Sequence, residues 1–222
     1  MQRLQQGPSF GITRYLIGYE ERPREWVAHA WSSIITFDAQ ITDAQLLDLA
    51  KKAYEEMTKQ FETCKELDGK SLEEQRRPKV MTALLGPCRK IVIFASSMKR
   101  FTKEAPDPIE YVYNNPQLRA WIDRAVPTGS PEKQARHRTG TCGEIIALGI
   151  FLRAFSDQNY VRAPGLTVVT WGITKENTKP RIRTPCSRAT RGHWRCYEVL
   201  AAHNILPVEC APNSRVMNHP GF

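Results

Sequence analysis

The stretch from Ile145 to Phe155 constrains this chain more than any other, being apolar nearly all round and interrupted only by Gly149 and Arg153. A helix without a polar face has to be enclosed, with a sheet on one side and another layer beyond. The chain carries runs suited to build that sheet. Val80 to Leu85 and Ile91 to Ala95 are β-prone and are joined by the turn chemistry of Gly86-Pro87-Cys88-Arg89-Lys90, which predicts a hairpin. Leu166 to Trp171 reads as a further strand, and its continuous apolarity suits a buried position.

Other segments fall into place around this core. Thr42 or Asp43 can cap a helix in which Leu46, Ala50, Ala53, Tyr54, Met57 and Phe61 lie at helical spacing. A charged loop, Lys65 to Lys79, separates it from the hairpin. Cys196 to His203 predicts a helix ended by Asn204, and Leu206 to Cys210 one more short strand. The order helix, strand, strand, helix, strand, helix, strand predicts an α/β layered domain. Its span is 41–222, with an insertion at about 99–138 that carries a short helix around Gln117 to Ala125. Residues 1–40 read as an N-terminal extension packed on the core, and a polar loop is expected between the last long strand and Thr184.

Composition narrows the function classes. A chain of 222 residues buries a substantial core. No run approaches the roughly 18 apolar residues of a membrane span. The N-terminus lacks an apolar signal core, which favours a cytoplasmic or nuclear protein without membrane partners. Six cysteines in a chain this long are too sparse for a disulfide scaffold, so reduced thiols or a metal site are expected. The net charge of +9 points toward a polyanion, of which nucleic acid is the commonest.

Three cysteines stand beside predicted helix starts. Cys142-Gly143-Glu144 opens the apolar helix, Pro185-Cys186 precedes the next one, and Cys196 begins it. At a helix start, residues i and i+2 can put a thiolate on a metal and a carboxylate beside it, and the helix N-terminus favours the thiolate. Gly143 permits close approach of a substrate or of backbone. Each feature alone has a structural explanation, since buried cysteines often act as small hydrophobes and a first-turn carboxylate complements the helix dipole. Their coincidence, in this order and with a strand between, argues for a site.

These motifs resemble the cytidine-deaminase-like superfamily, whose zinc nucleobase deaminases share His-x-Glu or Cys-x-Glu at one helix start and Pro-Cys-x-x-Cys at the next. The Cys-x-Glu form is similar to the branch found in fungal proteins and bacterial toxin deaminases. The resemblance implies a three-layer α/β fold, a mixed central sheet flanked by helices. It implies Zn2+ held by Cys142, Cys186 and Cys196, with Glu144 as the catalytic proton shuttle. The reaction implied is hydrolytic deamination of cytosine to uracil in nucleic acid, DNA ahead of RNA, by a zinc-activated water. In one respect the chain departs from the pattern: nine residues, Ser187 to Arg195, separate Cys186 from Cys196. His193 and Cys210 therefore stand as alternatives to Cys196 as third ligand.

That long spacer carries three arginines, a histidine and a tryptophan. Arg191 and, ahead of Cys142, Arg138 are candidate phosphate contacts, while Trp194 and His193 are candidate stacking partners for a base. Trp194 anchoring the loop on the core, with solvated arginines, explains the same residues. Single-stranded or double-stranded DNA is the expected partner, RNA a further candidate, and the protein is expected to act as a monomer. Two alternatives remain: a deaminase of free cytidine or nucleotides, and a non-catalytic nucleic-acid-binding module with a structural zinc.

Overall fold

A computed structural model of the chain describes residues 9–18, 26–67, 77–100, 116–125, 142–155, 165–173, 178–185 and 196–208. These residues form eight strands: β1 (Thr13–Gly18), β2 (Trp26–Thr36), β3 (Val80–Leu85), β4 (Ile91–Ser96), β5 (Lys99–Arg100), β6 (Thr167–Gly172), β7 (Arg181–Arg183) and β8 (Leu206–Pro207). Four helices accompany them: α1 (Asp43–Leu67), α2 (Pro116–Ala125), α3 (Gly143–Ala154) and α4 (Cys196–Ala202).

The strands make one sheet in the order β1-β2-β4-β3-β6-β7, with β5 against β2 and β8 against β6. Among the described residues its pairs are antiparallel except the parallel pair β6–β8, so the sheet is mixed and mostly antiparallel. Alternation along the strands builds a core on each face. Met81, Ala83 and Leu85 of β3, Val92 and Phe94 of β4 and Val169 of β6 pack with α1. Leu84, Ile93, Ala95 and Val168 face the other way and pack with α2, α3 and α4. The expected mixed sheet flanked by helices is therefore present.

The first face is closed by the predicted stripe. Leu46, Ala50, Ala53, Met57 and Phe61 of α1 are wholly buried and Tyr54 nearly so. Thr42 starts the helix: the Gln45 N–H donates to its Oγ1 at 3.2 Å, and its own N–H donates to Gln45 Oε1 at 2.8 Å. This reciprocal pair satisfies donors that a helix start leaves open. The β3–β4 turn is tied to the same point. Arg89, in the left-handed region at φ 57°, reaches Asp43 at 2.6 Å and the Ile41 carbonyl at 2.9 Å.

On the second face, α3 is buried along most of its length, as an all-apolar helix requires. The short helix expected near Gln117 is α2, and it packs against α4 through a parallel stack of Trp121 on His203, 3.6 Å between ring centroids. Strands β1, β2 and β7 differ from the sequence reading. The expected polar loop after Trp171 contains β7, and the first 40 residues supply β1 and β2, which extend the sheet beyond β4. Among the described residues no helix is long and apolar enough to cross a membrane.

Candidate metal centre

The site lies where the N-termini of α3 and α4 meet the α3 face of the sheet. Cys142 is the residue before the first turn of α3, in extended conformation, and its carbonyl accepts the Ile146 N–H at 3.0 Å. It is half-buried, and Glu144, two residues on, is buried. Cys196, the first residue of α4, is wholly buried and joins the aliphatic core of that face. The ligating atoms of Cys142, Glu144 and Cys196 all lie within 4.8 Å of one another. Residues distant in sequence thus converge because two helices begin at the same edge of one core.

Gly143 is what lets α3 come so close. A Cβ built on it would lie 2.6 Å from Thr82 Oγ1 and 2.8 Å from the Ala95 carbonyl oxygen. The close approach that the sequence allowed for a substrate or for backbone is made here by the sheet. The helix start is seated directly on β3 and β4, which fixes the height of the residues on either side.

The same contact brings Glu144 over two buried hydroxyls. Thr170 of β6 donates through Oγ1 to Glu144 Oε1 at 2.8 Å, and Thr82 Oγ1 lies 2.8 Å from Thr170 Oγ1. A hydroxyl has one proton to give. With that of Thr170 committed to the carboxylate, Thr82 donates to Thr170, and the chain runs Thr82 to Thr170 to Glu144. Burial pushes the Glu144 carboxyl above its ordinary range. Its own backbone amide, the Thr170 hydroxyl and the charge of Arg183 pull the other way.

The donor set suits a metal ion. Zinc–sulfur bonds of about 2.3 Å and zinc–oxygen bonds of about 2.0–2.2 Å set tetrahedral ligands about 3.5–3.8 Å apart. Movements of about an ångström would gather these atoms around one ion. A cation would also compensate two thiolates and a carboxylate held away from water, which are costly otherwise. Comparison with protein-family models, curated proteins and solved structures finds no match to the chain.

Of the sequence-predicted site residues, Cys142, Glu144 and Cys196 are brought together. Cys186, Arg138, Arg191, His193 and Trp194 lie outside the described residues, as does Cys210. Thr82 and Thr170 were not anticipated. A threonine in an apolar strand is ordinary β chemistry. The only sequence signal was parity, since Thr82 shares its strand face with Leu84 and Thr170 shares its own with Val168.

Proposed function

We propose that the chain is a zinc-dependent hydrolytic deaminase with a cytidine-deaminase-like fold, converting cytosine to uracil in nucleic acid. The observation that carries this reading is the convergence of Cys142, Glu144 and Cys196 at two helix starts, on the α3 face of a mixed sheet. The element order α1, β3, β4, α3, β6, α4, β8 supports it, being the order in which the sequence motifs were expected to fall. Cys142 and Cys196 would hold the ion, with Cys186 as third ligand. When bound, zinc lowers the pKa of a coordinated water to about 7.

The rest of the chemistry falls to the chain's own groups. Hydrolytic deamination consumes one water and releases ammonia, so protons have to reach the ring nitrogen and the departing amine. Glu144 carries them, as an acid/base that does not need to bind the metal. Thr170 holds its Oε1 in one orientation, so the carboxyl group need not be ordered at each turnover. A carboxyl with a raised pKa also keeps a proton to donate nearer neutrality than an exposed one would. The net charge of +9 favours a base within a polyanion over a free nucleoside.

The test is zinc content together with uracil formation in cytosine-containing single- and double-stranded oligonucleotides, wild type beside Glu144→Ala. One zinc per chain, with uracil formed by the wild type and lost in the variant, is expected. One zinc with no activity on any base would favour a structural metal in a nucleic-acid-binding module. Turnover of free cytidine alone would favour a nucleoside enzyme, and a protein without zinc would end the proposal.

A further inference from the structure

β7 was not anticipated from the sequence, and its register decides where its two arginines point. Arg183 lies opposite Thr170, Ile182 opposite Trp171, and Arg181 opposite Gly172. Residues directly opposite in adjacent strands project from the same face of a sheet. Thr170 projects toward α3, where it bonds Glu144. Trp171 projects toward α1, where it packs with that core. Arg181 and Arg183 therefore both stand on the Glu144 face, in line with the site, while Ile182 covers the opposite side.

Their surroundings suit an external anion. Arg181 is exposed and Arg183 half-buried, and β7 is an edge strand among the described residues. No ion pair joins either guanidinium to a carboxylate among the described residues. Lys179 is exposed two residues before Arg181, so the segment is cationic throughout. Charges on an edge strand also guard against pairing with another sheet. That role needs no particular face, whereas both arginines share the face of the buried carboxylate. Arg183 also lies three residues before Cys186 in the sequence.

We propose that β7 is a phosphate-binding strip, with Arg181 and Arg183 gripping the sugar–phosphate backbone of the strand whose base enters the Glu144 site. The inference rests on the deaminase reading for the entering base, but the grip itself requires no chemistry. Arginine suits the role because its planar fork pairs with phosphate oxygens two at a time. The partner follows from charge complementarity with a chain of net charge +9.

The experiment uses the full chain and a fluorescein-labelled twelve-nucleotide oligothymidylate, which contains no cytosine, titrated by anisotropy across a series of salt concentrations. Each phosphate contact on a single strand contributes about 0.7 to the slope of log affinity against log salt. Arg181→Gln/Arg183→Gln is expected to flatten that slope by about 1.4 and to weaken binding roughly tenfold at low salt. Arg181→Lys/Arg183→Lys keeps the charges and is expected to keep the slope. Lys51→Gln/Lys52→Gln removes the same charge from α1, on the opposite side of the sheet, and is expected to change the slope little. Equal losses in the α1 and β7 glutamine variants, unchanged binding in the latter, or no binding by the wild type would each overturn the strip. Binding through β7 without deamination of any cytosine oligonucleotide would instead sink the deaminase reading and leave the strip standing.

Discussion

The α1 face and the α3 face of the sheet are closed in the same way by aliphatic and aromatic side chains, yet among the described residues only the α3 face buries a carboxyl. Under α1 the core runs Leu46, Met57, Phe61, Met81, Leu85 and Phe94, and the buried polar groups that β4 and β6 send to that side are the hydroxyls of Ser96 and Thr167, opposite Met81 and Leu85. Under α3 an equally apolar core also takes in Glu144, Thr82, Thr170 and the thiol of Cys196. Packing explains most of the first face, whose buried hydroxyls carry no charge. It does not explain the second, where each buried polar group costs free energy unless paired, and a carboxyl costs most. The difference separates residues that make the fold from residues that the fold has to carry.

The comparison breaks most visibly at Phe61. Phe61→Ala is expected to cost about 3–5 kcal/mol in urea unfolding while leaving kcat per folded molecule unchanged. Loss of turnover beyond the unfolded fraction would show that the two faces are coupled. Glu144→Gln should do the opposite, reducing deamination by about 10²–10⁴-fold. It should also stabilise the metal-free protein. A carboxyl whose pKa is raised by burial binds its proton more tightly folded than unfolded. It therefore withdraws stability as pH climbs above the ordinary 4.5 toward the raised value. The glutamine variant escapes that loss, so its gain in Tm should be largest at pH 8 and vanish below pH 4.5. A fall in Tm at pH 8 would contradict the assigned burial cost.

Gly143→Ala comes next. Its Cβ would meet Thr82 Oγ1 at 2.6 Å and the Ala95 carbonyl at 2.8 Å, and a carbonyl in a central strand does not move aside. Lifting α3 is expected to cost about 1–3 kcal/mol and to lower zinc affinity together with kcat. Thr170→Val is the mildest. It removes the donor to Glu144 Oε1 and should lower kcat about tenfold, equivalent to about 1.4 kcal/mol, with little change in KM. Thr170→Ser keeps the donor and should restore kcat. Equal rates in the two variants would reduce Thr170 to packing.

Much of this contrast was legible in the sequence. The stripe from Leu46 to Phe61 follows from helical periodicity, the hairpin of β3 and β4 from two β-prone runs joined by turn residues, and the enclosed α3 from an apolar run without a polar face. β2 was missed because His29, Ser32 and Ser33 interrupt its apolar residues without alternating with them, leaving neither a continuous run nor a period of two to read. In β7 the Arg-Ile-Arg alternation was present but only three residues long, too short to outweigh the surrounding polar residues. Cys142, Glu144 and Cys196 were legible because they coincide at successive predicted helix starts, in order and with a strand between. Thr82 and Thr170 were not, since 88 residues separate them and only strand pairing makes them neighbours.

The pairing of those two threonines has a consequence for how the chain finds its fold. β6 meets β3 with Thr170 opposite Thr82, in a largely apolar stretch where neighbouring alignments would bury comparable side chains. A slip of one residue would turn Thr170 toward α1, and Glu144 would be enclosed without its donor. Aliphatic residues alone discriminate weakly between such alignments, whereas an abandoned carboxyl penalises the wrong one heavily. The acid at the centre of the proposed chemistry thus also acts as a proofreader of strand alignment during folding.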